Sequence, residues 1–514
     1  MNPPPDPPRS VTDEVRSRLA QLDPAAAALL RQRLGAPVAS SGTDQTPEAP
    51  FRSIPCAHPL RVENDPPLRV HPATSGQQRM WFIHQFAPES PVYLVPTAFR
   101  LRGPLNVRWL EASLAAVVRR HDALRTTFGL EDAGIVQRVA QDATVILETA
   151  VAESGPPEER PSVARAWIEA AVRQPMDLET GPPVRVLLVR MGPEDHALLL
   201  VLHHIISDAA SLLNVLQDLS TSYGALAAGR AAQLPDPPLQ PADVAAWQEQ
   251  GPGAAVLEAQ ESWWAGKLSG DLPALDLPAD RPRPDVPSFR GDRRVRVLNP
   301  RWRVPLEGRA REQGATVFMH LLAAHALFLH RETGLRQVII GIPIAGRSRV
   351  EFEPSVGFFA NTLPLRIPFP AGLTGRGLLE QVRDIALDAY EHQDLRFERL
   401  VERLRIPRDT SRQPLVTQTF SVRDPLAPVL RLPGVEATEW PVTTGTSKFD
   451  LSLTVERSQA PGAWRVTADY STDLFDAERV DRWLERWEAL VEDLVDHPEQ
   501  PVTAPCGSQG PGGT

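Results

Sequence analysis

The sequence predicts an α/β (α+β) protein, and three of its features carry that expectation. Apolar runs of strand length, "PVRVLLVRM" (183–191) and "HALLLVLHHI" (196–205), stand side by side and are joined by the turn "GPED". A segment of helical period, "DAASLLNVLQDLSTSYGAL", follows from Asp208. The alternation returns in the second half, where "TVFMHLLAAHALFLHRET" reads as a helix and "QVIIGIPIA" as a strand. At 514 residues the chain exceeds one ordinary core, so two domains are expected.

In chain order, residues 1–60 are expected to be a leader. "MNPPPDPPRS" is proline-rich and reads as disordered. "TDEVRSRLAQLDPAAAALLRQRLG" (12–35) reads as two short amphipathic helices, the second opening at Pro24 and stopping at Gly35. Their apolar stripe (Val15, Leu19, Leu22, Leu29, Leu30, Leu34) needs a cover, either the chain's own body or a partner. Residues 36–60, rich in Ser, Pro, Thr and Ala, read as a linker. A first lobe is placed at 61–240. There "LNVRWLEASLAAVVRRHDALRTTF" (105–128) keeps helical spacing to about Arg120 and then turns β-branched toward Phe128. A second lobe is placed at 241–500, and "PVTAPCGSQGPGGT" (501–514) lacks periodicity and reads as a flexible tail.

Composition excludes several classes. With 42% apolar and 23% charged residues the chain is globular, and no apolar run is long enough to span a bilayer. The N-terminus lacks the basic-then-apolar order of a secretory signal, so the cytoplasm is the expected compartment. Cys56 and Cys506 lie in Pro/Gly-rich stretches, and two such cysteines make neither a disulfide framework nor a zinc site. A net charge of −10 argues against a nucleic-acid surface, but it allows a local basic patch for an acidic partner.

The stretch "LLLVLHHIISDAASLLNVLQDL" (198–219) is the most informative. If the strand runs to Ile205, His203 and His204 point to opposite faces. They cannot then share one metal ion, and no third ligand follows at a familiar spacing, so no metal is expected. One histidine is left to face a cleft and the other to support the strand. Asp208 opens the next helix, where an ordinary N-cap role is open to it. A histidine on an apolar strand is, by itself, most often a satisfied core residue.

The surrounding motifs add to that reading. The stretch resembles the His-His-x-x-x-Asp-Gly signature of the condensation domains of nonribosomal peptide synthetases, members of the chloramphenicol acetyltransferase-like superfamily. Other segments resemble that family's motifs in the same order. They are "TSGQQRMWFI" (74–83, with Gln78, Arg79 and Trp81), "RRHDALRTTF" (119–128), the weaker "PADVAAW" (241–247), "IGIPIAGRSRVEFEPSVGFFANTLPLR" (340–366), "HQDLRFERLVERL" (392–404) and "RDTSRQPLVTQTF" (408–420). The resemblance covers roughly 66–498. Taken singly each segment has a bland reading, "VGFFANTLPLR" as a buried strand and "FERLVERL" as an amphipathic helix; their joint order carries the inference.

The resemblance implies two acetyltransferase-like lobes forming a V-shaped pseudodimer, and amide formation by attack of an amine on an acyl or aminoacyl thioester. It implies that His204 contacts the attacking nitrogen, as general base or by orienting the amine. His203 is then support, and Asp208 pairs with an arginine, for which Arg125 is the candidate. Trp247, Gly357, Asn361 and Ser411 are the candidates for lining the substrate channel. No cofactor is bound by the chain itself. Substrates arrive on the phosphopantetheine of donor and acceptor carrier proteins, or the acceptor is a free small amine, and the chain works as a monomer without nucleic acid or membrane. One residue departs from the pattern: Ala209 stands where the family has Gly. Its methyl group is harmless in the first turn of a helix but costs roughly 1 kcal/mol or more where φ must be positive. The motifs look most like the subtype joining two L-aminoacyl units, in a free-standing enzyme or an excised domain. An ester-forming enzyme and a catalytically silent recruiter of a partner to a carrier protein remain as alternatives.

Overall fold

The computed structural model describes residues 61–502 except 65–66, 133, 143–144, 154, 238, 251–252, 407–408, 424–428 and 458–463. The expected leader helices, the linker, both cysteines and the tail beyond Val502 lie outside the described residues. The chain forms two compact units, both mixed α/β. The first runs to Ala255 and takes in Glu351–Phe358 and Arg431–Glu436; the second comprises Val256–Val350, Phe359–Leu430 and the residues from Ala437 onward. The division thus falls some way beyond the 240/241 junction read from the sequence, and two late segments belong to the first unit. Long-range packing, which no local pattern reports, assigns them there.

The first unit contains, in order, β1 (Arg61–Asn64), β2 (Pro67–Pro72), α1 (Ser75–Phe86), β3 (Leu94–Arg102), α2 (Val107–Arg120), β4 (Thr126–Glu131), β5 (Gly134–Ala140), β6 (Leu147–Val151), α3 (Arg160–Arg173), β7 (Val184–Gly192), β8 (Asp195–His203), α4 (Ala209–Ala227) and α5 (Pro241–Gln250). β1, β2, β5 and β4 form one antiparallel sheet in that order. In the other sheet β8 lies between β3 and β7, antiparallel to both, and β6 runs parallel to β7. β8 is buried from His196 to His203, which explains its unbroken apolar run: a central strand covered on both faces has no polar side to alternate with. Its register places His203 opposite Leu94 and Leu202 opposite Val184, so the strand ends level with the first residues of both its neighbours. α4 packs on α2, whose buried stripe is Leu110, Ser113, Leu114 and Val117.

The second unit contains all but the first three residues of α6 (Gly253–Lys267), then β9 (Gly291–Leu298), α7 (Arg303–Glu312), α8 (Val317–Thr333), β10 (Gln337–Ile344), β11 (Asn361–Pro368), α9 (Gly375–Glu391), α10 (Phe397–Leu404), β12 (Gln418–Arg423), β13 (Leu451–Arg457), β14 (Trp464–Ser471) and α11 (Ala477–Asp496). Its sheet has the order β11-β10-β12-β13-β14-β9, with parallel pairing of β12 to β10 and to β13. α8 is buried without a break from Met319 to Leu329, as befits a helix that is apolar on every face, and it packs on α9 and α11. Two histidines, His320 and His325, lie inside that run. Among the described residues no helix is long and apolar enough to cross a membrane.

Candidate active site

The site is built where β8 stops. Sequence periodicity extends the strand to Ile205, but it ends at His203, and His204–Ile206 forms one turn of 3₁₀ helix. Side chains of the stretch itself turn the backbone. The Ser207 hydroxyl donates to the His203 carbonyl at 3.1 Å, and the Ser207 N–H donates to the His204 carbonyl at 3.3 Å. From α1, the amide of Gln77 donates to the Ile205 carbonyl at 3.5 Å. Gln77 is itself held in a capping box with Thr74.

The turn locks the two histidines in opposite tautomers. His203 Nδ1 accepts from the Ile205 N–H at 3.1 Å, so the proton of its neutral ring sits on Nε2. His203 is buried, with the rings of His84 and Tyr93 at centroid distances of 5.8 and 6.4 Å. Burial lowers the pKa of His84, against the pull of Asp177 and Glu89. His204 does the reverse. Its Nδ1 lies 2.6 Å from the Ser207 carbonyl, which can only accept, so Nδ1 carries a proton, and in the neutral ring Nε2 holds the lone pair. His204 is half-buried, with the Phe358 ring edge-on at 5.1 Å. A neutral imidazole held this way can take a proton at Nε2.

Asp208 caps α4 by accepting from the Ser211 N–H and standing 2.8 Å from the Ser211 hydroxyl. Ala209 is the first helical residue, is exposed, and is not among the residues with positive φ. Its methyl group therefore imposes no backbone strain. The expected Asp208–Arg125 pair is not formed. Arg125 instead donates to Asp122 and to the Ala140 carbonyl, while Arg69 reaches the other oxygen of Asp122 at 2.7 Å. Asp122 sits three residues before Arg125 on the same short turn, so the local partner is reached without ordering a long loop. Replacing Arg125 with alanine leaves Asp122 buried beside a single, half-exposed arginine. The expected loss is near the lower end of about 3–5 kcal/mol, read by chemical denaturation.

The four channel candidates fall in different places. Gly357 belongs to the first unit, and both its N–H and its carbonyl meet the Ser211 hydroxyl, at 3.0 and 2.8 Å. Trp247 packs edge-on to Phe352 at 5.6 Å in the same unit. Asn361 is a correction. Its amide donates to the Gln393 and Leu395 carbonyls and its oxygen accepts from the Thr362 and Phe397 N–H groups. Buried and fully used, it ties β11 to the start of α10 and has no polar atom left for a substrate. Ser411 lines a small open cleft of about 30 Å³ in the second unit, beside Arg412 and Lys448. Sequence reasoning missed Ser207, Ser211 and Phe358. Ser211 had a local signal, a hydroxyl three residues after a capping aspartate, whereas Phe358 had none near the histidines. Among the described residues no group of three His, Cys, Asp or Glu side chains could hold a metal.

The Condensation domain family model matches residues 68–505. The chain belongs to the condensation-domain family. Among curated relatives, tyrocidine synthase 3 of Brevibacillus parabrevis is 35% identical over 84% of this chain and 6% of its own length. Surfactin synthase subunit 1 of Bacillus subtilis strain 168 is 34% identical over 85% of this chain and 12% of its own length. This condensation domain thus spans a small part of the synthetases it matches. Of solved structures, the X-domain in complex with OxyB from teicoplanin biosynthesis superimposes with a TM-score of 0.76 at 27% identity, covering 90% of this chain and 98% of that one. The starter condensation domain of rhizomide synthetase shares the fold, with a TM-score of 0.72 at 23% identity, over 85% of this chain and 97% of that one. The fold is therefore chloramphenicol acetyltransferase-like, and condensation domains are acyltransferases of nonribosomal peptide synthesis.

Proposed function

We propose that this condensation domain forms an amide between an acceptor amine and an acyl or aminoacyl group held as a thioester on the phosphopantetheine of a donor carrier protein. The amine nitrogen adds to the thioester carbonyl, the carbon–sulfur bond breaks, and the thiol of the donor arm departs. The nitrogen must shed one proton and the sulfur must gain one, so a group that can hold a proton beside both is what the reaction needs. The observation that carries this reading is the tautomer of His204, with Nδ1–H fixed on the Ser207 carbonyl and Nε2 as the basic atom. The stretches "HHIISDAAS" and "VGFFANTLPLR" support two L-configured aminoacyl units, the acceptor being either on a second carrier protein or a free small amine.

Intact-mass analysis of a loaded donor carrier incubated with this protein and candidate acceptors tests the proposal. The donor carrier is expected to lose its acyl mass only when an amine acceptor is present. The acceptor should gain that mass in a linkage stable to hydroxylamine, whereas an ester product would be cleaved. A second reading, recruitment of a partner enzyme without catalysis, draws on the likeness to an X-domain solved in a complex. Under it the carrier would bind and keep its acyl group with every acceptor.

A further inference from the structure

The Glu351–Phe358 segment lies between β10 and β11 of the second unit, yet it packs in the first. Four anchors hold it there. Asn214 of α4 donates to the Glu353 and Ser355 carbonyls at 2.7 and 3.2 Å. The Ser355 hydroxyl, fully buried, donates to the Leu239 carbonyl at 2.8 Å. Phe352 is buried beside Trp247, and Ser211 meets both backbone groups of Gly357. The last anchor is the informative one, because the same hydroxyl lies 2.8 Å from Asp208, the cap of α4. Ser211 thus sets the helix start that follows His204 in register with the residue that precedes Phe358.

What this register delivers is a single aromatic ring. Val356, Gly357 and Phe359 are buried, but Phe358 is only half-buried, and its ring meets the His204 imidazole at 78° with 5.1 Å between centroids. An edge-to-face contact of this kind favours one imidazole orientation over rotation about the ring's bond to the chain. The ring also takes up space beside that imidazole that a larger group on an incoming amine would need.

We propose that Phe358 is a positioning and specificity-determining residue for this condensation domain: it aims the His204 ring and limits the size of the acceptor group that can approach it. The assignment rests on the reading of His204 as the group that meets the attacking nitrogen. Four proteins separate the two ideas: native, Phe358→Ala, Phe358→Leu and His204→Ala. Each is assayed with one carrier-loaded acyl donor against the N-acetylcysteamine thioesters of glycine, alanine and leucine, after melting curves establish that it is folded. With the glycyl acceptor, Phe358→Ala is expected to lose at least about tenfold in kcat with KM within about twofold. Phe358→Leu, which refills the space, should recover to within about threefold of the native kcat. The preference for the leucyl over the glycyl acceptor should rise at least about tenfold in Phe358→Ala. A native kcat in Phe358→Ala, or a rate loss that is equal for all three acceptors and not recovered by leucine, overturns the proposal. If His204→Ala turns over as fast as the native protein, the underlying reading fails instead. If His204→Ala is inactive while Phe358→Ala is native-like, only the role of Phe358 is lost.

Discussion

Replacing His204 with alanine is expected to lower amide formation from carrier-bound donors at least about 10²-fold while leaving the fold intact. The two parts of this expectation have separate grounds. The rate falls because the atom lost is the basic Nε2 of a ring whose other nitrogen is committed to the Ser207 carbonyl. The fold survives because the ring is half-buried at the end of a strand, and the turn beyond it is held by Ser207 and Gln77 through backbone carbonyls that alanine keeps. His203→Ala is expected to do the opposite. It empties a buried position and strips the Ile205 N–H of its acceptor, so the melting temperature falls. Turnover of carrier-bound substrates near the native rate in His204→Ala would falsify the assignment.

Acidification is expected to destabilise the second unit steeply between pH 6.5 and about pH 4, through His320 and His325. Among the described residues neither ring has a hydrogen-bond partner at either nitrogen, and both lie within the buried run of α8. His325 is wholly buried and stacked on Phe420 at 5.3 Å and Phe328 at 6.0 Å. Burial pushes its pKa down from 6.5 to about 3, and that of His320, with Arg309 adding, to about 4. In the unfolded chain both histidines take up a proton below about pH 6.5; in the folded one they stay neutral until roughly pH 3–4. The unfolded state therefore binds more protons, and stability is full above pH 6.5 and lost as the pH falls. At about pH 4.5 the loss is about 3 kcal/mol for each ring, a large share of the roughly 5–15 kcal/mol that holds a domain. Urea midpoints at pH 8 and pH 4.5 check it. His325→Leu should raise the midpoint more at pH 4.5 than at pH 8, and equal gains at both would show that the ring is not held neutral in the folded state.

The α/β class was legible in the sequence because the long elements keep clean periods. α4 is helical in spacing, α8 is an apolar run of helix length, β8 is apolar from Ala197 to Leu202 because both its faces are covered, and β7 has an apolar centre between Arg185 and Arg190. The histidine motif could be placed at a strand end for the same reason. What periodicity could not give was the last two residues of the expected strand. There the Ser207 hydroxyl competes for the His203 carbonyl and bends the chain. The partner of Arg125 was misread because composition offers many carboxylates and only the fold shows that Asp122, three residues away, is in reach. Asn361 has a polar side chain in a motif that suggested a substrate contact, but its four hydrogen bonds are all internal. Phe358 was invisible as a neighbour of His204 because 154 residues of sequence separate the two, from His204 to Phe358.

The route of Glu351–Phe358 has a consequence for how the protein is made. Ser211 leaves the ribosome 146 residues before Gly357, whose N–H and carbonyl both meet its hydroxyl. At typical elongation rates the nascent first unit waits roughly 7–30 s with that hydroxyl lacking its final partner and the space beside His204 unfilled by Phe358. A further delay follows before Arg431 arrives to bond Ser220. The turn at His204–Ser207 therefore matures only after a large part of the second unit has been synthesised, so vectorial folding cannot finish one half before the other begins. A gene cut at the junction between the halves would yield an N-terminal fragment carrying both histidines and Asp208, but not the segment that completes their surroundings.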